Sequence, residues 1–233
     1  ELPLVVVDVQ RGGPSTGLPT KTEQTDLMQA LYGRNGESPV VVVAPASPTD
    51  CFTMAFEASR IAIEHMTPVI LLSDAFIGNG SSAWRVPEVD EYPEIHPRYV
   101  PDELKDTWRP YQRDPQTQAR YWAIPGTPGL MHRLGGLEKD FTTGNLSIDP
   151  VNHEHMVRVR QEKVERIADD IPLLEVGCCP DADTLLIGWG GTYGHLRTAA
   201  EQLCREGVEV AFAHFRYINP LPANTLEVLS RYK

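Results

Sequence analysis

Three short runs rich in β-branched residues, Leu4 to Val9, Val40 to Val43 and Val69 to Leu72, constrain the fold of this chain more than any other feature. Each has the length of a strand buried on both faces, and the segments between them carry helical patterns. The first has Thr20 as N-cap with Glu23 three residues on, then Leu27, Ala30 and Leu31 along one face, ending at Gly33. The second opens at Ser47 with Pro48 in the first helical position and Asp50 completing a capping box. It turns Met54, Ala55, Ala58, Ile61 and Ala62 toward a core. Strands alternating with helices predict an α/β fold whose parallel sheet is joined by right-handed crossovers.

From Asn79 to about Gly144 the alternation stops, and prolines recur from Pro87 to Pro128 often enough to break regular elements. Trp84, Tyr92, Tyr99, Trp108, Tyr111, Tyr121 and Trp122 lie in the same stretch. Disordered segments are aromatic-poor, so an ordered arm that wraps part of the molecule is expected. Asp149-Pro150 opens a charged helix with Val157, Val164, Ala168 and Ile171 on one stripe. After Cys178-Cys179-Pro180 a new βαβ unit begins: strand Thr184 to Ile187, turn Gly188 to Gly194, helix His195 to Arg205 closed by Gly207, strand Val208 to Phe215. Three regions follow: 1–80, an arm with its connecting helix over 81–177, and a second α/β unit over 178–233.

The net charge of −11 excludes a nucleic-acid surface, which needs clustered Lys and Arg. No apolar run approaches the ~18 residues of a membrane span. Cys51, Cys178, Cys179 and Cys204 have neither cluster-ligand spacing nor the density of a disulfide framework, which favours a reducing, cytoplasmic setting.

Arg11 follows the first strand at its carboxyl end, where open α/β sheets place ligands. Its planar fork fits a carboxylate bidentately, and a structural ion pair is the alternative. Gly12 and Gly17 have the spacing of a phosphate loop, but Leu18 stands where the lysine must be, and Pro14 and Pro19 remove N–H donors. In this close-approach loop Ser15 and Thr16 offer hydroxyls to a ligand or cap the turn. Gly188-x-Gly190 suggests a dinucleotide loop, yet Tyr193 replaces the third glycine and no acidic residue ends the next strand. Tight strand-to-helix packing is the better reading. His153 and His155, two apart in a helix, face different ways and do not make a metal pair. His65 and His195 read as surface or capping residues.

The run from Val7 through Arg11-Gly-Gly-Pro-Ser-Thr-Gly-Leu-Pro-Thr-Lys-Thr-Glu-Gln24 to Asp26-Leu27 resembles the signature of α subunits of 2-oxoacid:ferredoxin oxidoreductases. Leu31-Tyr32-Gly33-Arg34-x-Gly36-Glu37, Ser47-Pro48-x-Asp50-Cys51-Phe52 and Thr67 through Asp74 are similar to the same family. Gly188 to Gly194, with Arg216 to Pro222, resembles its transketolase-C-terminal-like domain. The resemblance covers almost the whole chain. It implies a partial pyrimidine-binding-type domain over 1–80 and the start of the second domain over 178–233.

The implied enzyme decarboxylates a 2-oxoacid on thiamine diphosphate, sends two electrons through an iron–sulfur cluster on a partner subunit to ferredoxin, and delivers the acyl group to coenzyme A. Diphosphate and magnesium would be held mainly by a β subunit, and this chain alone would bind no cofactor. The family's substrate-carboxylate arginine falls on Arg11, with Ser15 and Thr16 adjoining. Gly136-Leu137-Glu138-Lys139-Asp140 resembles a loop that closes over the active site, making Asp140 a further substrate-binding candidate. Lys139 stands where many relatives have His. The family's upstream threonine and aminopyrimidine glutamate would precede Glu1, and the chain is expected to lack both ends of its subunit. The uninterrupted loop after Arg11 is more like that of 2-oxoglutarate enzymes than pyruvate enzymes. Another 2-oxoacid, a non-catalytic scaffold on the same fold and an unrelated nucleotide-binding protein are the alternatives.

Overall fold

A computed structural model describes residues 2–233 of the chain. The first unit runs β1 (Leu4–Gln10), α1 (Leu27–Tyr32), β2 (Val41–Val43), α2 (Asp50–Glu64), β3 (Pro68–Asp74) and α3 (Ala75–Asn79). After the arm come α4 (Pro150–Glu165), β4 (Val176–Cys178), β5 (Leu185–Trp189), α5 (Tyr193–Arg205), β6 (Ala211–Phe215), β7 (Tyr217–Asn219) and α6 (Thr225–Leu229). The first sheet has the order β1-β3-β2-β7, with β1, β3 and β2 parallel as the alternation predicts. The second has the order β4-β6-β5, in which β5 and β6 form the parallel pair around α5.

β2 explains why its residues are all apolar. Val41 and Val43 pack on one side with Met54, Ala58 and Ile61 of α2, with Val164 of α4 and with Ile167 just past its end. Val40, Val42 and Ala44 pack on the other with Leu72, Ala30 and, from the second unit, Trp189 and Ile218. Each large side chain taken out of water here contributes about 1.5–3 kcal/mol. β1 departs from expectation: it is an edge strand, and Leu4, Val6, Val7 and Val9 are all exposed. Only its β3 side has a partner among the described residues.

The helix starts also differ in part. Thr20 does not open a helix. Glu23 accepts the N–H groups of Gln24 and Thr25 at 2.9 and 3.0 Å, while the Asp26 N–H donates to Gln10 at 3.2 Å, so helical hydrogen bonding begins only at Leu27. α2 starts at Asp50, with Thr49 as its N-cap, rather than at Ser47. Ser47 Oγ accepts the Asp50 N–H at 3.2 Å, but Asp50 Oδ2 reaches back to the Ala46 N–H at 2.8 Å and not to that of Ser47, so the expected capping box is only half made. Ala55 faces solvent and Arg60 takes an inward position instead. On α4, Asp149 caps the Asn152 N–H at 2.8 Å. Its buried stripe is Met156, Val159, Lys163 and Val164, continuing to Ile167, because Lys163 turns inward to donate to the Met66 carbonyl at 3.1 Å.

Arg60 is held by a network that local patterning does not announce. Its guanidinium reaches Glu57 at 3.1 Å, Glu64 at 3.0 Å and Asp170 at 2.8 Å. His65, expected at the surface, is buried and lies 3.0 Å from the same Asp170 carboxylate. The His65 hydrogen bond, aided by Arg60, holds the Asp170 carboxyl down at about 2.

The arm is ordered and wraps α2. Tyr92 meets Phe56 and shares a hydrogen bond with the Thr53 hydroxyl, Trp84 meets Phe52 at a tilt of 49°, and Trp122 Nε1 donates to the Ile63 carbonyl at 3.0 Å. It builds a small core of its own from Val100, Trp108 and Leu130.

The two units interlock. After β6 the chain crosses back, and β7 pairs antiparallel with β2 of the first sheet, Asn219 donating to the Val40 carbonyl at 2.7 Å. Residues 217–219 therefore belong structurally to the first sheet, although they lie inside the 178–233 region.

Candidate functional site

The carboxyl ends of β1 and β3 gather the polar residues of the first unit. Gln10, at the end of β1, is buried; its Nε2 donates to the Ser73 carbonyl at 3.1 Å and its Oε1 accepts the Asp26 N–H. Asp74 ends β3 and caps α3 by accepting the Ile77 N–H at 2.8 Å. Burial pushes its carboxyl above the usual range, against further N–H donors from Phe76, Glu23 and Gly191. Gln24 Nε2 donates to the Trp189 carbonyl at 2.7 Å. Through Asp74 and Gln24 the Gly190-Gly191 turn of the second unit docks on this edge.

Arg11 projects from the same edge. It is exposed, and its guanidinium donates to the Ser15 carbonyl at 3.2 Å. No acidic side chain pairs with it among the described residues, so the structural ion pair does not form here and its remaining donors face solvent. The loop after it is closed: the Leu18 N–H donates to the Gly12 carbonyl at 2.9 Å, Ser15 and Gly17 adopt φ of 56° and 53°, and the Gly13-Pro14 bond is cis. A Cβ at Gly17 would lie 1.4 Å from the Gly12 oxygen, so backbone fills the loop's interior. With Pro14 and Pro19 lacking N–H groups, it offers no diphosphate cradle. Among the described residues no cluster of three or more His, Cys, Asp or Glu could hold a metal ion. The residues present do not fit the diphosphate and magnesium. Ser15 and Thr16 are both exposed beside Arg11.

Asp140 is elsewhere. Its carboxylate accepts the N–H groups of Thr142 at 3.0 Å and Thr143 at 2.7 Å, and the Thr143 hydroxyl at 2.8 Å. The loop is tied to α4 by Asn152, which donates to the Lys139 carbonyl and accepts from Phe141. Gly135 to Lys139 line a cavity of about 540 Å³ with Val40, Thr67 and Pro68, at the amino ends of β2 and β3. A strand of this length spans ~20 Å, so within one chain Asp140 and Arg11 lie at opposite ends of the sheet.

A cleft of about 690 Å³ opens where the units meet, lined by Asp50, Trp84, Cys178, Arg197, His214 and Arg216. Arg216 is paired with Asp50 at 2.7 Å. Burial pushes the His214 imidazole down to about 4, so it is neutral at neutral pH. Gly188 has the packing role expected of it, since a Cβ there would meet Leu196 at 2.3 Å. His153 bonds Glu138 and His155 meets the Phe141 ring, each with its own partner in the loop before α4. No helix among the described residues is long and apolar enough to cross a membrane. Sequence reasoning missed Gln10, Gln24 and Asp74 as the scaffold behind Arg11. Their only local signal is that Gln10 and Asp74 are polar residues ending apolar strands.

Residues 1–139 match the family described as pyruvate flavodoxin/ferredoxin oxidoreductase, thiamine diphosphate-binding. The chain is 58% identical, over its whole length, to 35% of the 2-oxoglutarate oxidoreductase subunit KorA of Mycobacterium tuberculosis. It is 32% identical, again over its whole length, to 36% of the α subunit of a 2-oxoacid:ferredoxin oxidoreductase of Aeropyrum pernix. It thus spans about a third of these curated relatives. A solved 2-oxoglutarate:ferredoxin oxidoreductase from Magnetococcus marinus, with 2-oxoglutarate, coenzyme A and succinyl-CoA bound, superposes with a TM-score of 0.88 at 35% identity, over 97% of this chain and 39% of that one.

Proposed function

This chain belongs to the pyruvate flavodoxin/ferredoxin oxidoreductase, thiamine-diphosphate-binding family, and from that premise we propose that it forms part of the α subunit of a 2-oxoglutarate oxidoreductase. The complete enzyme oxidatively decarboxylates 2-oxoglutarate, releases CO2, transfers the acyl group to coenzyme A and passes two electrons to ferredoxin. The observation that carries this reading is the whole-length likeness to the mycobacterial 2-oxoglutarate subunit.

In this reading the chain's own contribution is to bind and orient. Arg11 holds the substrate carboxylate through its fork, and its bond to the Ser15 carbonyl fixes the direction of approach. The Ser15 and Thr16 hydroxyls stand beside the same carboxylate. Asp140, at the far end of the sheet, takes part only where assembly brings another copy's loop to the site. A β subunit holds thiamine diphosphate and magnesium, and a partner subunit carries the iron–sulfur cluster; no step through these groups is assigned to this chain. Region 1–80 is the pyrimidine-binding-type domain, 81–177 the arm and connecting helix, and 178–233 the start of a transketolase-C-terminal-like domain that lends β7 to the first sheet. The enzyme works in the cytoplasm.

The test is substrate preference in the complete enzyme, followed by ferredoxin or viologen reduction with coenzyme A present. The kcat/KM for 2-oxoglutarate should exceed that for pyruvate several-fold. A preference for pyruvate or a branched-chain 2-oxoacid would overturn the substrate, and absence of any reduction would favour the scaffold.

A further inference from the structure

Three of the four cysteines come together where β4, β6 and α5 meet in the second unit, with Cys178 on the wall of the 690 Å³ cleft. Cys178 ends β4 opposite Ala211 of β6, and it is exposed, with φ of +64°. Cys179 follows it, its N–H donating to the Val210 carbonyl at 3.2 Å. From the last turn of α5, Cys204 donates its thiol to that same carbonyl at 3.4 Å. The Val210 carbonyl thus holds the Cys179 backbone and the Cys204 thiol at one point, which places the two cysteines side by side. Both are half-buried rather than sealed in the core. Nothing in the substrate-binding role uses them.

We propose that Cys179 and Cys204 form an oxidisable dithiol, which closes into a disulfide when it meets a low-molecular-weight disulfide. The Cys179 thiolate attacks one sulfur of the small disulfide, forming a mixed disulfide and releasing one small thiolate. The Cys204 thiolate then attacks the Cys179 sulfur, the mixed bond breaks, and a second small thiolate leaves. Two protein thiols are oxidised, one small disulfide is reduced to two thiols, and the two protons lost by the protein thiols end on the released small thiolates. Contact with Cys204 pushes the Cys179 thiol above its usual range, so proximity rather than acidity drives the reaction and the first step is slow. The product ties the end of β4 to the last turn of α5. Gly177, Cys178, Arg197 and Glu201, on those same two elements, line the 690 Å³ cleft, so oxidation stiffens one wall of it.

The experiment treats the full-length α subunit in its assembled enzyme with oxidised glutathione, alkylates remaining thiols with N-ethylmaleimide and maps the digest by mass spectrometry. The expected product joins the Cys179 and Cys204 peptides with the loss of two hydrogens, is reversed by dithiothreitol and leaves half-buried Cys51 alkylated. Because Cys178 and Cys179 share a peptide, the mapping is repeated on Cys178→Gly, a residue suited to the positive φ at that position. The cross-link should persist there. In Cys204→Ser, glutathione should instead remain on Cys179. Full alkylation of Cys179 and Cys204 after treatment, separate glutathione adducts on each, or a cross-link lost in Cys178→Gly would each overturn the proposal.

Discussion

The buried carboxylate of Asp74, at the end of β3, lies so close to Gly191 that a Cβ added there would come within 2.2 Å of Oδ2. This close approach lets the Gly190-Gly191 turn dock beside the Arg11 loop, because a glycine leaves room for the same carboxylate that caps α3. The candidate substrate edge and the second unit are therefore parts of one packed arrangement.

Gly191→Ala should separate packing from propensity. The added methyl must displace a buried carboxylate, so a loss of about 1–3 kcal/mol is expected. Three residues on, Gly194 lies in the first turn of α5 with nothing within 4 Å of its built Cβ. Gly194→Ala should stabilise by roughly 0.5–1 kcal/mol through helix propensity. Denaturant melts of both variants check the opposite signs; equal effects would mean that the turn is not packed as described.

The loop after Arg11 gives a second prediction. Gly17→Ala places a Cβ 1.4 Å from the Gly12 oxygen at a φ of +53°, so the loop must open. Because the loop is exposed, the melting temperature should move little while kcat/KM for the 2-oxoacid falls in the complete enzyme. Gly36 also has a positive φ, +63°, but no atom lies near its built Cβ. Gly36→Ala should show strain alone, with catalysis unaffected.

Arg11 itself distinguishes fork from charge. In the complete enzyme Arg11→Lys keeps the charge and loses bidentate geometry, so kcat/KM should fall, and Arg11→Ala should fall further. Charged hydrogen bonds contribute ~1.5–3 kcal/mol each, which puts the alanine variant on the order of ten- to several-hundred-fold down. Since Arg11 is exposed and unpaired by acid, its removal should leave the melting temperature near that of the parent. A destabilised but kinetically normal Arg11→Ala enzyme would remove Arg11 from the site.

Acid stability reports on the Arg60 network. Asp170 is lowered from 3.8 to about 2, so its contribution is complete above about pH 4 and is lost as the pH falls toward 2. Allowing for solvent screening of a half-exposed carboxylate, this contributes on the order of 1 kcal/mol. Asp170→Asn should be less stable at neutral pH and lose less between pH 4 and 2. Parallel acid titrations of parent and variant by circular dichroism would reveal any identical slopes, which would place the acid sensitivity elsewhere.

By itself the sequence determined the elements whose stabilising partners are local or repeated. β2 and β3 were legible because every residue of their apolar runs needs cover, and the cap at Asp149 because its acceptor lies three residues from the N–H it serves. The family was legible because the Arg11 loop is a contiguous string of unusual backbone requirements. Tertiary structure decided the rest, because partners distant along the chain leave no local period. Val6 and Val9 look like core residues in the sequence and are exposed on an edge strand, since burial depends on which strand lies alongside. Glu23 looks like a capping residue and instead ties a loop, because Gln10 and Trp189 compete for the segment that follows it. His65 becomes a buried partner of Asp170 only when α2 and the end of α4 pack together. Asp140 and Arg11 share a family motif set, yet chain geometry sets them at opposite ends of a sheet, and no reading of spacing along the sequence measures that separation.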